Sequence, residues 1–289
     1  MVSRNCVRCE NEVPLNRLNC PHCSGFINCP HLRAAADPQE TDAFGKRYAD
    51  AFSGLFPSMK SVVRRFEYLT SHSHAVISCP ISKLSPLAKP ASFQNYDDLW
   101  TNRFLHENLG AKFPGLDLRR PVEVKLMPGG WNRDKLHYAS LSLTEVGIPH
   151  YGDCVVVLRD EMIAHRTLVF EDNSALQYHR DGRVHPGKRC GWKDRGKMCV
   201  LKHYKEILSK LPSLENATDI APFQDLVLQP GKAKGKDRGT DDVFVELIIL
   251  GELTLRSFAR IVVPESLLSQ APELEDACRQ SDVYFEVAS

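Results

Sequence analysis

Two CxxC pairs near the start of the chain, Cys6-Val-Arg-Cys9 and Cys20-Pro-His-Cys23, restrict what this segment can fold into. Ten residues separate them. Each pair can wrap two thiolates around one side of a divalent ion, and a short hairpin between them completes a tetrahedral four-sulfur shell, as in a zinc ribbon. The segment is too short and polar to bury a core, so metal binding and folding of residues 1–33 are one event. The spacing predicts a structural Zn2+ held by Cys6, Cys9, Cys20 and Cys23. A redox role suits the pairs less well, since they are matched and no βαβ pattern surrounds them. Cys29 and His31 follow in "NCPHL" and read either as spare residues beside the module or as ligands of the same or a second site. A closed four-sulfur shell has no open coordination position and performs no chemistry. The module therefore predicts a grip on a protein or nucleic-acid partner rather than an activity.

The rest of the chain has the content of a globular protein: 43% hydrophobic and 25% charged over 289 residues. A formal net charge of +1 excludes a global attraction to nucleic acid or membrane, leaving local patches to supply any such affinity. No apolar run reaches the ~18 residues that mark a transmembrane helix, and the N-terminus shows no signal-peptide core. These features predict a cytoplasmic protein without membrane contact. In a reducing compartment the ten cysteines are metal ligands or small buried hydrophobes.

The predicted class is α+β, in three parts: the ribbon over 1–33, a helical region over 40–115, and an α+β domain over 116–289. Apolar spacing predicts helices over 43–69 with a break at Pro57, and a helix over 95–110 closed by Gly110. Short strands are predicted at 122–127, 136–144, 153–158, 166–170, 242–250 and 258–263. Helices are predicted in "CVLKHYKEILSKLP" and "PESLLSQAPELEDACRQ". The sheet is expected to be mixed and largely antiparallel. The glycine fingerprints of dinucleotide folds, P-loops and α/β-hydrolases are missing.

Three stretches of the C-terminal half carry candidate chemistry. Glu246 stands in the apolar strand "VFVELIIL"; it either faces water from an edge strand or points into a cleft. Asp172 and Asn173 follow a predicted strand and read as a helix N-cap, or as an N-terminus that receives phosphate. Ser140, Ser142 and Thr144 alternate with Ala139, Leu141 and Leu143, so one face of that strand carries hydroxyls. Together these stretches resemble the ADP-ribosyltransferases, nearest the DarT-like family that modifies DNA bases with NAD. The closing strands "VELIILGELTL" and "IVVP" carry the likeness, with "VVVLRDEMIAHRTLVFEDNSA" before them, over roughly the last 170 residues. The resemblance implies NAD as substrate and Glu246 as the catalytic carboxylate. It implies Ser140 and Ser142 as part of the hydroxyl strand, Asp172 and Asn173 at the family's "D-x-N-A" segment, and His137 or Tyr138 against the nicotinamide half. It implies a pyrophosphate-holding arginine, for which Arg159, Arg166 and Arg133 compete. The family's N-terminal "H-x-T" strand has no clear counterpart, and the zinc module lies outside its core pattern.

Two basic stretches, 180–205 and 231–239, would suit a phosphate-bearing acceptor such as nucleic acid, or are simply solvated. The first also brings His179, His185, Cys190, Cys199 and His203 near one another in sequence, at no common metal spacing. Three functions follow: a mono-ADP-ribosyltransferase of toxin or defence type, a non-enzymatic zinc-ribbon binding protein, or a metal-dependent nuclease using residues 165–203.

Overall fold

The computed structural model describes residues 3–6, 9–14, 20–23, 29–89, 91–93, 135–172, 184–232 and 241–288. The expected helix at 95–110, the strand at 122–127, Arg133, Asn173, His179 and most of the 231–239 stretch lie outside the described residues. Strands β1 (Ser3–Asn5) and β2 (Glu12–Pro14) form a small antiparallel hairpin at the cysteine cluster. Helices α1 (Pro30–Ala35), α2 (Pro38–Ser53) and α3 (Pro57–Ser71) follow. Each begins on a proline, whose fixed φ suits the first helical turn and whose missing N–H is no loss there. Asp37 caps α2 by accepting from the Gln39 N–H at 2.9 Å. The predicted break at Pro57 is the junction of α2 and α3.

The chain then enters the sheet with β3 (His74–Cys79), followed by β4 (Leu136–Ser142), β5 (Cys154–Leu158), a short helix α4 (Asp160–Ile163), β6 (Thr167–Phe170) and β7 (Arg189–Gly191). Helices α5 (Arg195–Ser209), α6 (Leu211–Glu215) and α7 (Ala221–Val227) come next. The hairpin β8 (Leu228–Gln229) and β9 (Val243–Phe244) leads into β10 (Glu246–Leu250), and β11 (Phe258–Pro264), α8 (Leu274–Gln280) and β12 (Tyr284–Ala288) close the fold. Among the described residues the main sheet has eight strands in the order β12-β11-β5-β3-β4-β10-β6-β7. Of its described pairs, only β11–β12 is parallel. The protein is thus α+β with a largely antiparallel sheet, as the sequence predicts.

Three details differ from the expectation. The segment read as helical also supplies β3, which sits between β4 and β5 in the middle of the sheet. The run 242–250 is two strands, β9 in a separate hairpin and β10 in the main sheet. The acidic run 264–280 is an α-helix only from Leu274, preceded by a 3-10 turn.

Side chains alternate across each strand, so the sheet has two faces. One carries Ala75, Ile77, Leu141, Val156, Val169, Leu247 and Ile249 and shares a core with Val63 and Phe66 of α3, Val200 of α5 and Phe223 of α7. The helical region and the strands therefore bury one common core. The opposite face carries Leu136, Leu168, Phe170, Ile248 and Leu250, packed with Cys29, Leu32 and Ala35 at the start of the helical region. Glu246 and Ser140 share the parity of this second face.

Gly152 turns the chain from the β4–β5 connection back into β5 with φ +149°. A Cβ there would meet the Cys79 carbonyl carbon at 2.0 Å. Gly152→Ala is expected to destabilise the protein by about 2–3 kcal/mol, read as a lower urea midpoint with unchanged slope.

Candidate functional site

The four N-terminal cysteines converge as their spacing predicts. All four sulfurs lie within 4.8 Å of one another, with Cys6–Cys23 at 3.7 Å and Cys9–Cys20 at 3.5 Å. Tetrahedral ligation by four sulfurs at a metal–sulfur distance of ~2.3 Å puts the sulfurs about 3.8 Å apart, so the cluster can hold one metal ion. Main-chain bonds fold the first pair into a knuckle: Glu10 N–H to Cys6 C=O at 2.9 Å and Cys6 N–H to Asn11 C=O at 2.8 Å. Glu10 takes φ 59° to make this turn. The His22 N–H donates to the Cys20 sulfur at 3.4 Å. The main-chain and side-chain amides of Asn11 pull the Cys9 thiol down to about 6, which favours the ligating thiolate.

Among the described residues the N-terminal four form the sole grouping that could hold a metal ion. Cys29 and His31 lie outside this shell and join no second grouping among the described residues. The Cys29 thiol faces the His165 carbonyl, and His31 Nε2 bonds the Arg166 carbonyl at 3.1 Å. Cys190, Cys199 and His203 are instead buried in the main fold, and burial raises the Cys199 thiol to about 12. The described members of that set form no metal-holding group, in keeping with their uncommon spacing.

Glu246 is 3% exposed and lies on β10, an interior strand, so the reading of a water-facing edge residue is set aside. Its direct cross-strand partners are Ser140 on β4 and Phe170 on β6. The row continues from Ser140 to Val76, Val157, Arg260 and Tyr284. Tyr138 and Ser142 flank Ser140 at the same parity along β4. A buried carboxylate therefore stands beside a short hydroxyl row bounded by apolar residues. His137 lies on the opposite face, level with Ile249, tilted against Phe93 at 6.0 Å. It is separated from Glu246 by the sheet itself.

The candidate arginines are placed elsewhere. Arg166 is level with Leu250, about 14 Å from Glu246 by strand spacing. Its Nε donates to the Met162 carbonyl at 2.9 Å, and Nη1 donates to those of Leu250 and Glu252 at 2.8 and 3.0 Å. It ties α4 to the end of β10. Arg159 leaves β5 three strands away, about 16 Å from Glu246. It donates to the Phe258 carbonyl at 2.8 Å and to that of Asp282. Both guanidinium groups are thus engaged with main-chain carbonyls. Arg166→Ala leaves three carbonyls without this partner and is expected to cost about 3–4 kcal/mol, measured by denaturant unfolding.

Asp172 follows β6 near the Glu246 end of the sheet. Its carboxylate is paired with Lys188 at 3.0 Å and with Lys202 of α5. Burial opposes its charge, but the two lysines outweigh that and hold its carboxyl below the usual range. The described part of the basic stretch, 184–205, is likewise not a free loop. From Arg189 onward it is largely β7 and α5, and cations along it are paired within the fold: Arg189 with Glu40 at 2.6 Å, Arg195 with Asp160 at 3.3 Å, Lys197 with Asp194 at 2.8 Å. Arg47 pairs Glu171 at 2.7 Å in the same web. A positive sequence run became a structural charge network, which weakens the expectation of a nucleic-acid groove there.

Two buried polar residues were missed in the sequence. Gln224 of α7 accepts from the Leu143 N–H at 2.6 Å and donates to Ser142 Oγ at 3.2 Å, fixing the end of the hydroxyl strand. Asp242 accepts from the Gly231 N–H at 2.7 Å and from the Tyr151 hydroxyl at 3.0 Å. It joins the two ends of the basic stretch ahead of Glu246. The Asp241-Asp242 pair just before a strand was a visible signal; a lone glutamine in a short helix was not.

Burial depresses three histidines: His203, His31 to about 4 and His137 to about 3, the last also against the charges of Arg166 and Lys83. Unfolded histidine titrates near 6.5, so below that pH the unfolded chain binds protons first. Stability present above pH ~6.5 is then lost as pH falls towards the folded values, by roughly 2–3 kcal/mol for each of His31 and His137 at pH ~4.5. Urea midpoints at neutral pH and near the lower value measure this.

Among the described residues no helix is long and apolar enough to cross a membrane. Comparison of the chain with protein-family models and with curated proteins gave no match.

Proposed function

We propose that this chain is a zinc-stabilised mono-ADP-ribosyltransferase, in which the four-cysteine cluster holds Zn2+ and the face around Glu246 acts on NAD. The observation that carries the reading is the buried Glu246 carboxylate on an interior strand, directly paired with Ser140. A buried carboxylate suits chemistry that builds positive charge nearby, because the low-dielectric surroundings strengthen the attraction. In the proposed step the nicotinamide–ribose bond breaks and its electron pair leaves on the nicotinamide nitrogen. Glu246 stabilises the cationic ribose. The acceptor then bonds to the ribose C1′ and releases a proton. Tyr138, Ser140 and Ser142 share the Glu246 face and supply hydroxyls for orienting the ribose. Arg159 and Arg166 are not assigned to the pyrophosphate, since both guanidinium groups are engaged with main-chain carbonyls.

That last point favours a second reading, in which the chain binds a partner through its metal module and catalyses nothing. One experiment separates the two. The purified protein is incubated with NAD labelled in its adenylate half, with single-stranded DNA, RNA and a protein mixture as acceptors. Nicotinamide release with transfer of label supports the transferase. The absence of both, with a binding partner retained through the metal module, supports the second reading.

A further inference from the structure

We propose that the four-cysteine cluster is an oxidation site for hydroperoxides, in which a half-buried sulfur of one pair takes the oxidant and the buried sulfur of the other pair closes a disulfide onto it, expelling the metal. The proposal rests on the reading of the cluster as a metal centre and requires no NAD chemistry.

The cluster divides its sulfurs in two ways. By exposure, the first cysteine of each CxxC pair is buried, Cys6 at 2% and Cys20 at 1%, whereas the second, Cys9 or Cys23, is half-buried. By contact, Cys9 lies 3.5 Å from Cys20, and Cys23 lies 3.7 Å from Cys6. Both contacts run between the pairs, and each joins a solvent-reachable sulfur to a shielded one. An oxidant arriving from solvent meets Cys9 or Cys23 first, and the sulfur that completes a disulfide already stands beside it. A ligating sulfur is a thiolate, the nucleophilic form. The other cysteines, Cys29, Cys79, Cys154, Cys190, Cys199 and Cys278, are all buried. Apolar burial keeps a thiol protonated and inert, so oxidation is directed to the cluster.

The chemistry balances with the hydroperoxide as sole oxidant. The Cys9 sulfur attacks the terminal peroxide oxygen. An S–O bond forms, the O–O bond breaks, and its electron pair leaves with the other oxygen, which takes a proton to become an alcohol, or water where the oxidant is hydrogen peroxide. The Cys20 sulfur then attacks the Cys9 sulfur. An S–S bond forms, the S–O bond breaks, and hydroxide leaves and takes a second proton as water. The two sulfurs give up two electrons and the peroxide accepts them. Cys23 and Cys6 repeat the sequence with a second molecule of oxidant. Each bridge removes two thiolate ligands, so about two hydroperoxides release one metal ion. A module folded by its metal is dismantled by the same step.

The test uses the full chain, metal-loaded and native, titrated with hydrogen peroxide while a chromophoric chelator reports released metal. Release is expected to be complete once about two equivalents per chain are consumed, with the four cluster thiols lost and the six buried thiols retained. Mass spectrometry then assigns the bridges. Trypsin cuts after Arg8 and Arg17, so Cys6, Cys9 and the Cys20–Cys23 pair fall on three peptides. Bridges Cys9–Cys20 and Cys6–Cys23 join all three, and fragmentation between Cys20 and Cys23 fixes which sulfur holds which. Any other pairing, including bridges within a CxxC pair, overturns the proposal. So do metal retained under excess peroxide and buried thiols lost before the cluster's. Metal content before oxidation separates the failures. Protein that never holds metal refutes the metal centre and the proposal with it, whereas bound metal with other bridges, or none, refutes the proposal alone.

Discussion

Purified protein is expected to carry one Zn2+ per chain, and Cys20→Ser is expected to lose nearly all of it. Cys20 is 1% exposed, and its sulfur accepts the His22 N–H while lying 3.5 Å from the Cys9 sulfur. A serine hydroxyl is a poor ligand for the ion and is too short to restore the shell. Among the described residues of the module, Val13 is the buried apolar side chain beside the cysteines, so the thiolate shell is central to its fold. Structural zinc sites of this kind contribute apparent free energies of roughly 10–16 kcal/mol at neutral pH, nearly all of it as folding free energy. Removing one thiolate should therefore weaken metal binding by at least about a thousandfold, measured by competition with a chromophoric chelator. Acid should act in the same direction, because protons compete for the thiolates. Metal analysis also settles the identity of the ion: a four-sulfur shell accommodates iron, which would colour the protein, as well as zinc. A metal content well below one per chain, unaltered by Cys20→Ser, would count against the site.

What the sequence disclosed followed the range over which its signals act. The CxxC pairs were legible because metal ligation imposes a short, local spacing on the chain. Helices α2 and α3 were legible because Pro57 breaks an amphipathic run. Strand β3 was not, because "HAVISC" is six residues long with helix on one side and a proline on the other. Its place is fixed by β4 and β5, its partners in the sheet, and the β4 strand lies more than fifty residues downstream. The basic run 180–205 misled for a related reason. Counting charges in sequence treats Lys188, Arg189 and Lys202 as available, whereas Asp172 and Glu40 reach them only once the fold has formed. The same distance hid the role of Arg166. Its carbonyl partners on Leu250 and Glu252 are over eighty residues away. Glu246 stood out because a charge inside an apolar strand is anomalous at any range, and its burial sharpens the anomaly without assigning it a reaction.

Glu246→Gln is the substitution with the largest expected effect on the proposed activity. Glutamine keeps the size and planarity of the side chain and can still hydrogen-bond, so the strand and its pairing with Ser140 and Phe170 should persist. It removes the negative charge. If Glu246 stabilises the cationic ribose, the missing attraction acts on the transition state and hardly at all on bound NAD. The rate constant for nicotinamide release should then fall by about a thousandfold, near 4 kcal/mol, with little change in NAD affinity. Glu246→Asp keeps the charge but withdraws it by one methylene, and should retain part of the activity. Tyr138→Phe and Ser140→Ala, which alter orientation on the same face, should cost about tenfold to a hundredfold each. Thermal unfolding provides the control. A buried carboxylate that loses its charge can leave stability unchanged or raise it, since burying charge is unfavourable. A thousandfold loss of turnover in a protein of undiminished stability would therefore place Glu246 in the chemistry. Full turnover in Glu246→Gln would remove it from the mechanism and leave its burial to be explained by its strand neighbours alone.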